Sequence, residues 1–126
     1  MSAKFEIKIA KNGEYMFNLY ATNGRVIATS ETYTAMHNCK GGIESIRANA
    51  AAPVADLTMG EATIPHPRYE VFLDKEERFR FHLKASNGEI ICASQGYSAK
   101  QSALDGIASI AENAPIAEIV MAEEAE

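Results

Sequence analysis

The sequence has few cysteines and histidines and no long apolar run. Its two cysteines, Cys39 and Cys92, lack the spacing of a metal or redox site, and a chain of this size needs no disulfide, so both are expected to be free thiols. Its three histidines share no motif with cysteines or carboxylates, so we predict neither a metal nor a cofactor. No apolar stretch reaches the roughly 18 residues of a membrane span. The N-terminus also lacks the apolar core of a signal peptide, which predicts a cytoplasmic protein with no membrane partner.

The composition is that of one ordinary globular domain. The chain has 126 residues, of which 47% are hydrophobic and 23% are charged. Its net charge of −5 argues against binding a polyanion through the overall field, so a nucleic-acid partner is not expected.

The strongest feature of the sequence is an internal repeat. A shift of 64 residues (81 − 17) places the segment FNLYATNG, which begins at Phe17, on FHLKASNG, which begins at Phe81. Self-similarity over most of the chain indicates two copies of one module. We predict a single domain, 1–126, made of copies at 4–57 and 68–120, a linker at 58–67 and an acidic tail at 121–126.

Each copy has the pattern of three strands, a helix and a last strand. Apolar and polar residues alternate in the first strands, as at Phe5, Ile7 and Ile9, and then recur at helical spacing. Thr34 and Ser98 are placed as helix N-caps. Asn-Gly pairs predict two-residue hairpin turns, whereas Glu76-Glu77 replaces one such pair and predicts a different turn.

Several motifs carry a family resemblance. Both copies combine an Asn-Gly turn, Ser-x-x-Tyr before the helix, Gly-Ile-x-Ser-Ile within it and Asn-Ala near its end. This pattern resembles the YegP-like family of small bacterial proteins. The resemblance implies an α+β fold in which two tandem β(3)-α-β repeats form one mainly antiparallel sheet, with both helices on one face and the C-terminal strands exchanged between repeats. It implies no catalytic residues.

The polar positions shared by the copies have structural interpretations. The asparagines suit turns and helix ends, the serines can bond the backbone, and the tyrosines can pack on the first helical turn. Gly42 and Gly106 lie inside the helices, where glycine costs about 1 kcal/mol relative to alanine, so we expect a close approach there. The shared set is Asn23, Ser30, Tyr33, Ser45 and Asn49, with Asn87, Ser94, Tyr97, Ser109 and Asn113.

No repeated nucleophile is paired with a repeated base, so we predict that the protein is not an enzyme. Ser30 has Glu31 beside it but Ser94 has Gln95, and Ala103 replaces Cys39. An enzyme with an unrecognised site remains an alternative.

If the helices cover one sheet face, the other is open to a partner. We therefore predict a small binding or accessory protein with a protein or small-molecule partner, monomeric because the two copies already form an internal pseudo-dimer. An alternative partner is single-stranded nucleic acid, whose bases would stack on the aromatic and basic residues of the open face. A further alternative is that the open face is only solvated and binds no partner. The candidate partner-binding residues are Met16, Tyr20, Phe72, Arg80, His82 and Lys84.

Overall fold

The computed structural model describes residues 2–122. Each copy follows the predicted order of three strands, a helix and a strand. The first copy has β1 Lys4–Ile9, β2 Tyr15–Tyr20, β3 Val26–Ser30, α1 Met36–Asn49 and β4 Val54–Asp56, followed by a 3-10 turn at Leu57–Met59. The second has β5 Arg68–Leu73, β6 Phe79–Lys84, β7 Ile90–Ala93, α2 Lys100–Asn113 and β8 Glu118–Met121. The last strand therefore includes Met121, the first residue of the expected tail, and residues 123–126 of that tail lie outside the described range.

The strands form one eight-stranded sheet in the order β4-β5-β6-β7-β3-β2-β1-β8. The five inner pairs are antiparallel, and the two edge strands are parallel to their neighbours. The edge strand β4 of the first copy pairs with β5 of the second, and β8 of the second pairs with β1 of the first. The exchange of C-terminal strands is thus confirmed.

Strand register shows that both helices cover one face. Asn18 of β2 and His82 of β6 belong to one row of register partners across the sheet, so their side chains point to the same side. Phe17 and Phe81 precede them and point to the opposite side. A methyl group built on Gly42 of α1 would lie 3.2 Å from the Phe17 ring, and the corresponding distance from Gly106 of α2 to Phe81 is 3.0 Å.

The core lies between this sheet face and the helices. Phe5 and Phe17 meet edge-to-face with ring centroids 5.7 Å apart, and Tyr69 and Phe81 repeat the contact at 6.0 Å. All four rings are fully buried. The Tyr69 hydroxyl is satisfied by donating a hydrogen bond to the Ala50 carbonyl at 2.8 Å. Aromatic burial of this kind supplies a large apolar area to a small domain.

The starts of the helices differ from the sequence prediction. Ala35 and Ala99, rather than Thr34 and Ser98, occupy the N-cap positions, and neither helix has a side-chain cap. The residues before the helices are held instead by the sheet, because Tyr33 forms a backbone bridge with Tyr15.

The tyrosines before the helices also pack differently from the prediction. The Tyr33 ring stacks on Phe17 at 6.4 Å and reaches Gly42 in the middle of α1, not its first turn. Tyr97 reaches Gly106 of α2 in the same way. The close approach expected at both glycines is therefore confirmed, and side chains rather than the sheet backbone make it.

The four hairpins share one turn, which also corrects the prediction. In each, the residue before the loop accepts a hydrogen bond from the residue three later and donates one to the residue four later, so the loops have three residues and not two. The last loop residue has a positive φ, which is 83° at Gly13, Gly24 and Gly88 and 60° at Glu77. The Glu76-Glu77 turn is therefore the same turn with a non-glycine residue in the left-handed region.

Candidate functional site

The candidate site is the face of the sheet opposite the helices, which we call the uncovered face. One row of register partners crosses all eight strands on this face. Thr29 and Ala93 stand in the middle of the row, and the larger polar side chains of Asn18 and His82 lie on either side of them. From one edge to the other the row is Val120, Glu6, Asn18, Thr29, Ala93, His82, Glu70 and Ala55.

The first-copy half of the uncovered face contains Met16 and Tyr20 on β2. The Tyr20 hydroxyl donates a hydrogen bond to Glu6 Oε1 at 3.3 Å, and Lys4 Nζ lies 5.1 Å from the centre of the Tyr20 ring. Burial and the Glu6 carboxylate raise the pKa of Tyr20. The phenol therefore stays protonated at neutral pH and provides an aromatic surface rather than a base.

The second-copy half is organised around Glu70, which is only 5% exposed. Arg68 Nη2 and Lys84 Nζ lie 2.6 and 2.9 Å from its carboxylate, and His66 Nε2 lies 3.7 Å away. Burial raises the pKa of Glu70, but hydrogen bonds from Lys84 and Arg68 outweigh it and the net shift is downward. Arg68 also donates to the Ile64 carbonyl at 2.6 Å. Glu70 thus anchors the linker and is not a free catalytic acid.

The remaining predicted residues lie beside this cluster. Phe72 and His82 pack with ring centroids 4.8 Å apart. Burial and the Lys84 ammonium lower the pKa of His82, so the imidazole is neutral at pH 7. Arg80 forms an ion pair with Asp74, whose pKa is lowered by that hydrogen bond.

The six predicted partner-binding residues all lie on the uncovered face, but in two separate groups. Met16 and Tyr20 lie on β2, whereas Phe72 and the residues of β6 lie on the far side of β3 and β7. Three strand spacings separate β2 from β6, about 14 Å. A partner that contacts both groups must cover the centre of the sheet.

Sequence reasoning missed a repeated pair of charges. Glu6 and Glu70 occupy the same position in the two copies, and a cation lies two residues before each, Lys4 or Arg68. Both carboxylates interact with these cations. The shift of 64 residues contains this signal, but a charged residue between apolar ones in a strand looks like ordinary solvent exposure.

Strands β1, β2, β5 and β6 carry more cations than carboxylates on the uncovered face, although the whole chain carries −5. Strands β1, β2, β5 and β6 place five cations and two carboxylates on it, a balance of 5 − 2 = +3. Adding Asp74, which pairs with Arg80, Glu118, the register partner of Lys4, and Glu31, which lies beside Thr29 and Ala93, balances the cations at 5 − 5 = 0. The charges counted are Lys4, Lys8, Arg68, Arg80 and Lys84, against Glu6 and Glu70.

Two of the shared polar positions have the structural roles expected of them. Ser30 Oγ accepts a hydrogen bond from the Phe17 N–H at 2.9 Å and donates one to the Glu31 carbonyl. Asn49 Nδ2 donates to the Ser45 carbonyl at 2.8 Å, within the helix. Ser94 and Asn113 repeat these contacts in the second copy.

The two thiols are free, as predicted, and both are buried. Burial raises the pKa of Cys39, and it raises the pKa of Cys92 to about 12. Within residues 2–122, no cluster of three histidine, cysteine, aspartate or glutamate side chains is placed to hold a metal ion. In the same range, no helix is long and apolar enough to cross a membrane.

Comparison with known proteins identifies the family. The family model described as Domain of unknown function (DUF1508) matches residues 10–56 and 74–120, one match in each copy. The chain belongs to the DUF1508 family. The YegP-like resemblance is confirmed by relatives of this family: the UPF0339 protein PA0329 of Pseudomonas aeruginosa is 38% identical over 115 residues, which are 91% of this chain and 93% of that protein. YegP of Escherichia coli is 35% identical over 113 residues, 90% of this chain and 91% of YegP.

Solved structures of DUF1508 relatives share the fold. The solution structure of Escherichia coli YegP, described as a protein of unknown function, matches with a TM-score of 0.80 at 32% identity and covers 100% of this chain and 97% of that one. The UPF0339 protein SO3888 of Shewanella oneidensis matches with a TM-score of 0.77 at 34% identity, covering 96% and 92%. These relatives indicate no catalytic family.

Proposed function

We propose that the protein is a non-enzymatic binding module of the cytoplasm whose uncovered face binds an acidic segment of a partner protein. The observation that carries this proposal is the excess of cations over carboxylates that strands β1, β2, β5 and β6 carry on that face in a chain of net charge −5. Since the acidic excess lies elsewhere, an acidic partner is attracted to this face and repelled from the rest of the surface.

The contacts on the uncovered face support exchange with a partner. Lys4 and Arg80 form partly exposed ion pairs, which are weak because water screens them, so a partner's carboxylates can replace them at little cost. Met16, Tyr20 and Phe72 add apolar surface beside the charges. A mixture of aromatic residues and arginine is typical of the residues that dominate protein interfaces.

Single-stranded nucleic acid is the less favoured partner. Base stacking needs aromatic rings along one continuous track, but Tyr20 and Phe72 lie in different halves of the face.

The test compares captured partners of three proteins under identical conditions: the natural chain, the variant Tyr20→Ala, Phe72→Ala, Arg80→Ala, and a control with three exposed helix residues changed, His37→Ala, Lys40→Ala and Glu112→Ala. A partner with an acidic segment should be recovered by the natural chain and the control and be reduced at least tenfold by the first variant. A synthetic peptide of that segment should bind more weakly as salt rises from about 50 to 200 mM.

Equal recovery of partners by all three folded proteins would show that the uncovered face does not bind them. Loss of the captured material after nuclease treatment would instead identify nucleic acid as the partner.

A further inference from the structure

A cavity of about 430 Å³ lies on the helix side of the sheet, away from the uncovered face. Its walls come from both copies: the connection from β3 to α1 and the surface of α1 belong to the first, and the β6–β7 hairpin belongs to the second. Small-molecule sites have volumes of this order.

Three of the polar positions shared by the copies converge on this cavity. Tyr33 and Ser45 come from the first copy, and Asn87 comes from the second. Ser45 and Asn87 also have local roles in the helix and the turn. Among the hydrogen bonds within residues 2–122, none involves the half-buried Tyr33 hydroxyl. The cavity therefore has a hydroxyl free to bond a ligand.

Gly41 is exposed where α1 borders the cavity, so its open side faces the cavity and solvent. A methyl group built there would meet nothing within 4 Å, whereas at Gly42 it would meet Tyr33. A glycine inside a helix costs about 1 kcal/mol relative to alanine. The packing of Gly42 explains that cost, and nothing in the packing around Gly41 does.

Two exposed residues with carboxylates, Glu31 and Glu89, lie at the rim of the cavity. Neither forms an ion pair with any cation of residues 2–122. At the corresponding positions of the other copy the sequence has Gln95 and Arg25. Two carboxylates beside one cavity repel each other, and a bound cation relieves that repulsion.

We propose that this cavity binds a small organic ammonium ion. Glu31 and Glu89 accept two of its three N–H hydrogen bonds, the Tyr33 hydroxyl accepts the third, and the open side of Gly41 receives a short alkyl chain. The apolar side chains of β7 that line the cavity provide the surface for that chain. The site uses none of the six predicted partner-binding residues, although Glu31 also lies beside Thr29 and Ala93 of the uncovered face.

The experiment is an NMR titration of the full chain with n-butylammonium chloride, followed through backbone amide shifts. Sodium chloride at equal ionic strength and 1-butanol are the ligand controls, because they lack the alkyl chain and the charge respectively. Saturable shifts should appear at residues 31–33, 41–45 and 85–91 with butylammonium alone. The double variant Glu31→Gln, Glu89→Gln should weaken binding at least tenfold.

Substitutions that fill the space beside Gly41 give a second test of the site. Gly41→Leu should abolish the saturable shifts, whereas Asp105→Leu, at the corresponding position of α2, should leave them unchanged. Gly41→Ala, which removes less space, should weaken binding by a smaller factor and serves if the leucine variant does not fold. Equal shifts with 1-butanol, an unchanged Kd in the Glu-to-Gln variant, shifts centred on other residues, or no saturable shift would each overturn the proposal.

Discussion

Two adjacent glycines of α1 should respond oppositely to the same substitution. A Cβ at Gly41 meets nothing within 4 Å, so Gly41→Ala gains helix propensity alone and should raise the free energy of unfolding by about 1 kcal/mol. At Gly42 the Cβ would lie 2.9 Å from Tyr33 Cζ and 3.2 Å from Phe17 Cε2. The Tyr33 ring cannot move freely, because it stacks on Phe17 and its backbone is bonded to Tyr15.

The comparison between these variants isolates the packing cost. Forcing an extra methyl group into a packed site costs about 1–3 kcal/mol. The propensity gain is common to both variants and cancels, so Gly42→Ala should be about 2 kcal/mol less stable than Gly41→Ala. Gly106→Ala should lie between them, since its nearest contacts are 3.0 Å to Phe81 and 3.2 Å to the Tyr97 hydroxyl.

Urea denaturation followed by far-UV circular dichroism measures these differences in the free energy of unfolding. Equal m-values will show that unfolding exposes the same surface area in all variants. If Gly42→Ala is as stable as Gly41→Ala, the close approach of Tyr33 does not constrain α1 and the explanation of this glycine is wrong.

Three further predictions concern the turn, the thiols and the assembly. Glu77→Gly should stabilise the protein by up to about 1 kcal/mol in the same urea assay, because glycine adopts the left-handed conformation of this position without strain. A loss of stability would contradict the shared turn. Cys39 and Cys92 should resist iodoacetamide at neutral pH in the native protein and react in urea, as measured by mass spectrometry. Rapid labelling of the native protein would contradict this prediction and favour an enzymatic function. The full chain should be monomeric by light scattering. A fragment of residues 1–62 should dimerise, because its strand Val54–Asp56 has lost the strand with which it pairs. A folded, monomeric fragment would refute the internal pseudo-dimer.

The placement of the candidate residues on one face followed from the sequence. A period of two assigns alternate residues of a strand to opposite faces, so Tyr20, Phe72 and His82 could be placed on the uncovered face before any strand pairing was known. Their separation into two groups could not, because it depends on β3 and β7 lying between them. The burial of Glu70 was equally inaccessible, since it requires the linker to lie against β5.

Local patterns therefore determined the repeat, the order of elements and the side of each element that is buried, because period and turn chemistry act over a few residues. The exchange of the edge strands was decided by tertiary structure, and in the sequence only the family resemblance implied it. Any strand can form the same backbone hydrogen bonds, so its own sequence does not specify which strand it pairs with. The same holds for the cavity between α1 and the β6–β7 hairpin, where Tyr33 and Asn87 meet. These residues are far apart in sequence, and only the packing of one copy against the other brings them together.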